Sequence, residues 1–173
     1  EQDTIKYETM KNKLNKLNIK FELFKAIDGN KLTNPKLLNS GNKGAVGCKM
    51  SHMEILRNAK KNNYSKILIL EDDIYFWEKF NERFNNLYED LMNIDKNWKL
   101  LYFGAGDRYN TIINDTNKNI QLIGSKLIYC SYANAYDSSI YDIILKNEND
   151  NRPYDDLVAM DIKTNNYIFF PFL

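Results

Sequence analysis

The chain has one histidine, two cysteines, three prolines and seven glycines in 173 residues. The single histidine, His52, excludes a histidine-rich metal centre. The two cysteines, Cys48 and Cys130, are too few for a disulfide framework, and no ligand spacing around them suggests zinc. Any metal is therefore expected to be a hard cation held by oxygen. Charge of one sign is missing as well: 24 basic side chains face 23 acidic ones, for a net charge of +1. That balance gives no electrostatic footprint for nucleic acid, whose binders usually carry a basic stripe, and no nucleic-acid partner is expected. No apolar run approaches the length that crosses a bilayer, and no signal peptide opens the chain. As it stands the chain reads as cytoplasmic, and a mature or trimmed chain would read the same way. What remains, 43% hydrophobic and 27% charged, is ordinary globular composition. The length suits one domain, and with no repeat or linker in view residues 1–173 are read as that domain.

Periodicity sets out the elements. Tyr7, Met10, Leu14 and Leu17 share one helical face over residues 6–18. Residues 21–27 read as a short strand entering the Asp28-Gly29 turn. Helical spacing returns over residues 46–62, and 67–70 is an unbroken apolar run of the kind found in parallel strands covered on both faces. Phe76, Phe80, Phe84, Leu87 and Leu91 predict an amphipathic helix whose phenylalanine stripe is core. Further strands are expected at 100–103, 120–123, 126–135 and 167–170. Helices are expected from a Ser138 or Ser139 cap to 146 and over 156–163. The alternation points to an α/β fold with a mostly parallel central sheet flanked by helices.

The sharpest local feature is Ile67-Leu68-Ile69-Leu70 running directly into Glu71-Asp72-Asp73. Ligands of open α/β sheets sit beyond the carboxyl ends of the strands, so a central strand would put these acids at a ligand. Crowded carboxylates repel one another, and a divalent cation relieves that repulsion while also binding diphosphate oxygens. Acids after a strand also begin loops or supply the first turn of a helix, so the tripeptide alone leaves both readings open.

One helix upstream stands Gly44-Ala45-Val46-Gly47-Cys48-Lys49-Met50-Ser51-His52. The pairing resembles glycosyltransferase family 25, in which a glycine-rich turn leads to G-C-x-x-S-H and a later strand ends in L-E-D-D. Here these read Gly47-Cys48-Lys49-Met50-Ser51-His52 and Leu70-Glu71-Asp72-Asp73. Weaker matches are Ala26-Ile27-Asp28-Gly29 for "A-x-D-G", the 98–104 strand for one ending in "L-G", and Tyr132-Ala133-Asn134-Ala135-Tyr136 for "Y-A-Y". Pro153-Tyr154-Asp155 resembles "P-x-D", and Phe169-Phe170-Pro171 the family's closing strand. The family's opening "I-N-L" strand has no counterpart here, so the domain is expected to lack it.

The resemblance implies a GT-A-like, Rossmann-type nucleotide-sugar fold. It also implies inverting transfer of a hexose, galactose or glucose, from a UDP-sugar to a hydroxyl of a glycan or collagen-like polypeptide, with Mn2+ or Mg2+. Metal ligation falls to Asp73 and Glu71, and cofactor binding to Glu71, Asp72 and Ser51. If strand alternation persisted, Glu71 and Asp73 would point one way and Asp72 the other. His52, near a helix start after the glycine turn, is a candidate to meet phosphate or sugar, or else orders that turn. Asp155 is the candidate base for the acceptor hydroxyl, with helix capping as its alternative. Trp77, close to the acids, is the better candidate to stack on a sugar, although packing is the expected reading; Cys48 is expected to be a small buried hydrophobe and Asp107 an acceptor contact. Two other readings stay open: a non-catalytic nucleotide-sugar or glycan-binding domain derived from a transferase, and a metal-dependent phosphoesterase.

Overall fold

The structure, a computed structural model, describes residues 2–33, 42–104, 119–123, 128–129 and 131–169. Asp107, Cys130 and the Asn34-Pro35 turn lie outside them. Five helices and five strands follow in the order α1 (Gln2–Lys16), α2 (Lys43–Lys61), β1 (Lys66–Leu70), α3 (Phe80–Ile94), β2 (Leu100–Tyr102), β3 (Ile120–Leu122), β4 (Ala133–Asp137), α4 (Tyr141–Leu145), α5 (Tyr154–Asp161) and β5 (Asn166–Phe169). Short 3-10 turns at Gly29–Lys31 and Ser138–Ile140 complete the set among the described residues.

The strands form one sheet in the order β1-β4-β2-β5-β3. The α/β class holds, whereas the parallel expectation does not: β4 runs antiparallel to both β1 and β2, β3 antiparallel to β5, and the one parallel pair is β2 with β5. The apolar run of β1 suggested burial on both faces, yet β1 is an edge of the described sheet and Leu68 is exposed. Burial on both faces falls instead to β2, β5 and β4, the last with Ala133 and Ala135 alternating with Asn134 and Tyr136. In β4 the asparagine hid that burial from a hydropathy reading.

Alternation divides the core in two. Ile69, Leu100, Tyr102, Tyr136 and Ile168 pack with Met53 and Leu56 of α2, Ile144 of α4 and Leu157 of α5. Leu101, Phe103, Ala133, Ala135 and Phe169 pack with Met10 and Leu14 of α1 and with Phe80, Leu87 and Leu91 of α3. The phenylalanine stripe is packed as expected, with Phe84 stacked on Phe103 at 5.7 Å. The helix itself starts only at Phe80, because Lys79 is in the left-handed region (φ 57°) and interrupts the turn. Phe76 precedes the helix and meets Phe80 edge-on at 4.8 Å.

Two local expectations are revised. Residues 21–27 form no strand, since the Ile27 amide donates to the Ser51 hydroxyl at 2.8 Å instead of joining a ladder. At the turn before α4 the capping side chain is Asp137, whose carboxylate accepts from the Ser139 amide at 3.0 Å, and neither serine serves as the cap.

Glycines at 29 and 47 explain how the Asp28-Gly29 turn seats on α2. A methyl group at Gly47 would lie 2.6 Å from the Ile27 carbonyl oxygen and 2.8 Å from the Gly29 nitrogen. One at Gly29 would strike the Lys43 carbonyl. Backbone meets backbone here with no room for a Cβ, and the Ser51 hydroxyl completes the seat by donating to the Gly47 carbonyl at 2.7 Å.

Candidate functional site

The carboxyl ends of β1 and β2 and the amino end of β4 meet at one edge of the sheet, where Glu71, Gly104 and Tyr132 stand. The Glu71 amide donates to the Tyr132 carbonyl at 2.8 Å, and Phe103 N–H donates to the Ala133 carbonyl at 3.1 Å. The ladders therefore hold all three strand ends in register. Side chains leave this rim on both faces of the sheet, and each face builds a different environment.

On the α2 face, Cys48 and His52 sit one helical turn apart and Glu71 reaches them from β1. The His52 Nε2 to Glu71 Oε1 distance is 3.4 Å, and the Ser131 hydroxyl donates to the same oxygen at 2.9 Å. The donor atoms of Cys48, His52 and Glu71 all lie within 4.8 Å of one another, the one such group of three among the described residues. The buried His52 ring stacks on Tyr154 with centroids 4.3 Å apart. His52 holds the Glu71 carboxyl below the usual carboxylate range; burial opposes that effect and Ser131 reinforces it. Burial pushes the Cys48 thiol up to about 11, with the charges of Glu71 and Asp155 adding to it and the Ser131 hydroxyl working against it. Cys48 is thus a thiol at neutral pH in the absence of a ligand, and not a ready nucleophile.

On the opposite face, Asp73 lines a cleft of about 320 Å³ together with Tyr75, Trp77, Phe103, Gly104 and Tyr132. Tyr75 is 83% exposed and Trp77 64%, so the expected packing of Trp77 is not observed. Gly104 permits the cleft wall to close, since a Cβ there would fall 2.8 Å from the Tyr132 ring. Lysines from α1 reach the acid loop: Lys6 pairs with Asp72 at 3.5 Å, and Lys13 Nζ donates to the Ile74 carbonyl at 2.8 Å.

The acid triplet therefore divides. Glu71 turns to His52 and Ser131, Asp72 outward to Lys6, and Asp73 to the cleft. Strand pairing ends at Glu71 and residues 72–73 form a turn, so simple alternation does not carry through the triplet. Ser51 is buried and engaged with Gly47 and Ile27 within the fold. Asp155 lies in the first turn of α5, where it accepts from the Asp156 amide at 3.0 Å, and its charge acts on Cys48. His52, Glu71 and Asp155 are thus brought to one side, and Asp73 is set apart from them. Sequence reasoning missed Ser131 and the stacking role of Tyr154. Each flanks a motif it did identify, since Ser131 precedes the Tyr132–Tyr136 segment and Tyr154 is the middle residue of Pro153-Tyr154-Asp155.

Residues 1–151 match the profile of glycosyltransferase family 25, described as an LPS biosynthesis protein. Among curated relatives, a glycosyltransferase 25 family member of Aedes aegypti is 32% identical over 111 residues, covering 55% of this chain and 18% of that protein. Procollagen galactosyltransferase 2 of Mus musculus is 31% identical over 62 residues, covering 36% of this chain and 10% of that protein. Inactive glycosyltransferase 25 family member 3 of the same organism is 34% identical over 62 residues, again covering 36% and 10%. The chain thus spans less than a fifth of each of these relatives.

Proposed function

Because the chain belongs to glycosyltransferase family 25, we propose that it transfers a hexose from a UDP-sugar to a hydroxyl group on a glycan or a collagen-like polypeptide, in a metal-dependent, inverting reaction. The observation that carries this reading is the position of Asp73: an exposed carboxylate just past the carboxyl end of β1, in a cleft floored by Phe103 and Gly104 and flanked by exposed aromatic rings. The donor chemistry fits Mn2+ or Mg2+, which take oxygen ligands, and Asp73 is the residue to hold the ion, since Asp72 faces Lys6. When bound, such an ion neutralises charge on the departing diphosphate. Tyr75 and Trp77 offer ring faces to a sugar or base, while Asp155, on the α2 side of the sheet rim beside Cys48, is the candidate base only for an acceptor hydroxyl that approaches from that side. Glu71, tied to His52 and Ser131, sets the position of the loop that carries Asp73.

Calorimetry of UDP binding with and without Mn2+ tests the assignment. Asp73→Asn is expected to lose most of the metal-dependent affinity, at least tenfold, while its circular dichroism stays unchanged. Metal-dependent binding that survives in the mutant sinks the reading. A second reading, donor binding without transfer, draws support from the relatives named inactive; binding with no turnover on any acceptor distinguishes it.

A further inference from the structure

We propose that Cys48, His52 and Glu71 form a second cation site, for a thiophilic divalent ion of the zinc type, distinct from the oxygen-donor position at Asp73. The sequence offers no zinc spacing, because the three ligands come from two elements: Cys48 and His52 from successive turns of α2, and Glu71 from the end of β1. The fold brings a thiol sulfur, an imidazole nitrogen and a carboxylate oxygen within 4.8 Å of one another. That donor set suits zinc and is poor for manganese or magnesium, which favour oxygen alone.

The geometry separates this reading from a plain hydrogen bond. A tetrahedral zinc with bonds of about 2.0–2.1 Å to nitrogen and oxygen holds those two atoms about 3.3 Å apart. His52 Nε2 and Glu71 Oε1 stand 3.4 Å apart, which is the edge of such a tetrahedron and long for an N–H···O hydrogen bond. His52 Nδ1 is buried with no hydrogen-bond partner among the described residues, so this weak contact is the ring's one polar link there. A metal ion between Nε2 and Oε1 would replace this long contact with two bonds, while Nδ1 keeps no partner among the described residues. Because the three donor atoms lie within 4.8 Å of one another, the sulfur closes by at most about 1.3 Å to take its place in that tetrahedron.

The surroundings are already organised for the ion. Tyr154 fixes the plane of the imidazole by stacking, and the Ser131 hydroxyl contacts both the Glu71 carboxylate and the Cys48 thiol. Negative charge from Glu71 and Asp155 acts on Cys48, which favours a cation between them. The Glu71 side chain is 35% exposed, which gives a path of entry, and three protein ligands leave a fourth position open. An ion there joins α2 to the start of the acid loop.

Co2+ titration of the whole 173-residue chain, followed by Zn2+ competition, tests the site. Expected are one equivalent of Co2+ with the intense visible bands of tetrahedral geometry, a thiolate charge-transfer band in the near ultraviolet, and displacement by Zn2+ but not by excess Mn2+. Cys48→Ser is expected to abolish the charge-transfer band, whereas Cys130→Ser and Asp73→Asn retain it; Glu71→Gln is expected to weaken Co2+ binding at least tenfold. Octahedral Co2+ only, or a charge-transfer band that follows Cys130, overturns the proposal. Alkylation of the unmutated chain, read by mass spectrometry, keeps the test independent of whether Cys48→Ser folds. One equivalent of Zn2+ should slow modification of Cys48 at least tenfold, and unprotected Cys48 also overturns the proposal.

Discussion

Asp155 shows how a single residue can serve packing, chemistry or both. Pro153 is the N-cap of α5 and no side chain caps it, so the capping alternative is not observed; as a first-turn acid Asp155 favours the helix dipole by roughly 0.3–1 kcal/mol. If that were its whole role, Asp155→Asn would unfold slightly earlier and turn over normally. As the base, it is expected to lose roughly a hundredfold in turnover with donor affinity unchanged, measured against a confirmed acceptor. Asp150 offers a second residue-level test. Arg152 beside it holds its carboxyl below the usual carboxylate range, against the opposing push of burial, and the same guanidinium reaches Asp161 at 3.2 Å. A carboxyl whose folded value is depressed stabilises the protein above its unfolded value and loses that contribution as pH falls through the folded one. Stability is therefore expected to fall below about pH 4. Arg152→Ala is expected to flatten that acid limb in urea unfolding followed between about pH 2 and 5.

At the scale of elements, helices were legible wherever apolar spacing was regular. Residues 46–62 and 156–163 correspond to α2 and α5 within a few positions, because both bury one stripe against the sheet. Residues 21–27 were misleading, since their β-prone side chains carry no ladder and the backbone is anchored by Ser51. No pattern of hydropathy can register that anchor. The contact between the Asp28-Gly29 turn and α2 was likewise invisible, although both of its glycines lie in motifs that the sequence singled out. Gly47→Ala is expected to cost about 1–3 kcal/mol in urea unfolding, as overpacking does. Gly44→Ala, whose Cβ would meet only the Asn42 side-chain oxygen at 3.4 Å, serves as the control and is expected to be neutral or stabilising.

For the whole molecule, class was readable and strand order was not. Alternating helices and strands imply α/β, but pairing depends on contacts between distant segments, and β4 enters between β1 and β2 from 31 residues or more away in sequence. The candidate site shared that fate: its residues were named one by one, yet the separation of Asp73 from Glu71 depends on which face of the sheet each side chain takes. The order β1-β4-β2-β5-β3 predicts a gradient of protection. Amide exchange followed by NMR is expected to be slowest in β4, β2 and β5 and faster in β1 and β3, and a most-protected β1 would contradict the sheet order.

The two tryptophans of the chain occupy opposite extremes, Trp77 being 64% exposed at the cleft and Trp98 2% exposed in the core. Their emission therefore separates by wavelength and by access to a soluble quencher. Red-shifted, acrylamide-sensitive light comes from Trp77 and dims or shifts when a ligand fills the cleft. The blue component belongs to Trp98, beside the Tyr88 ring and under the Lys66 ammonium, and changes only when the core opens. The native chain thus carries two chromophores, one for occupancy and one for unfolding, and a single cuvette can follow both without a label.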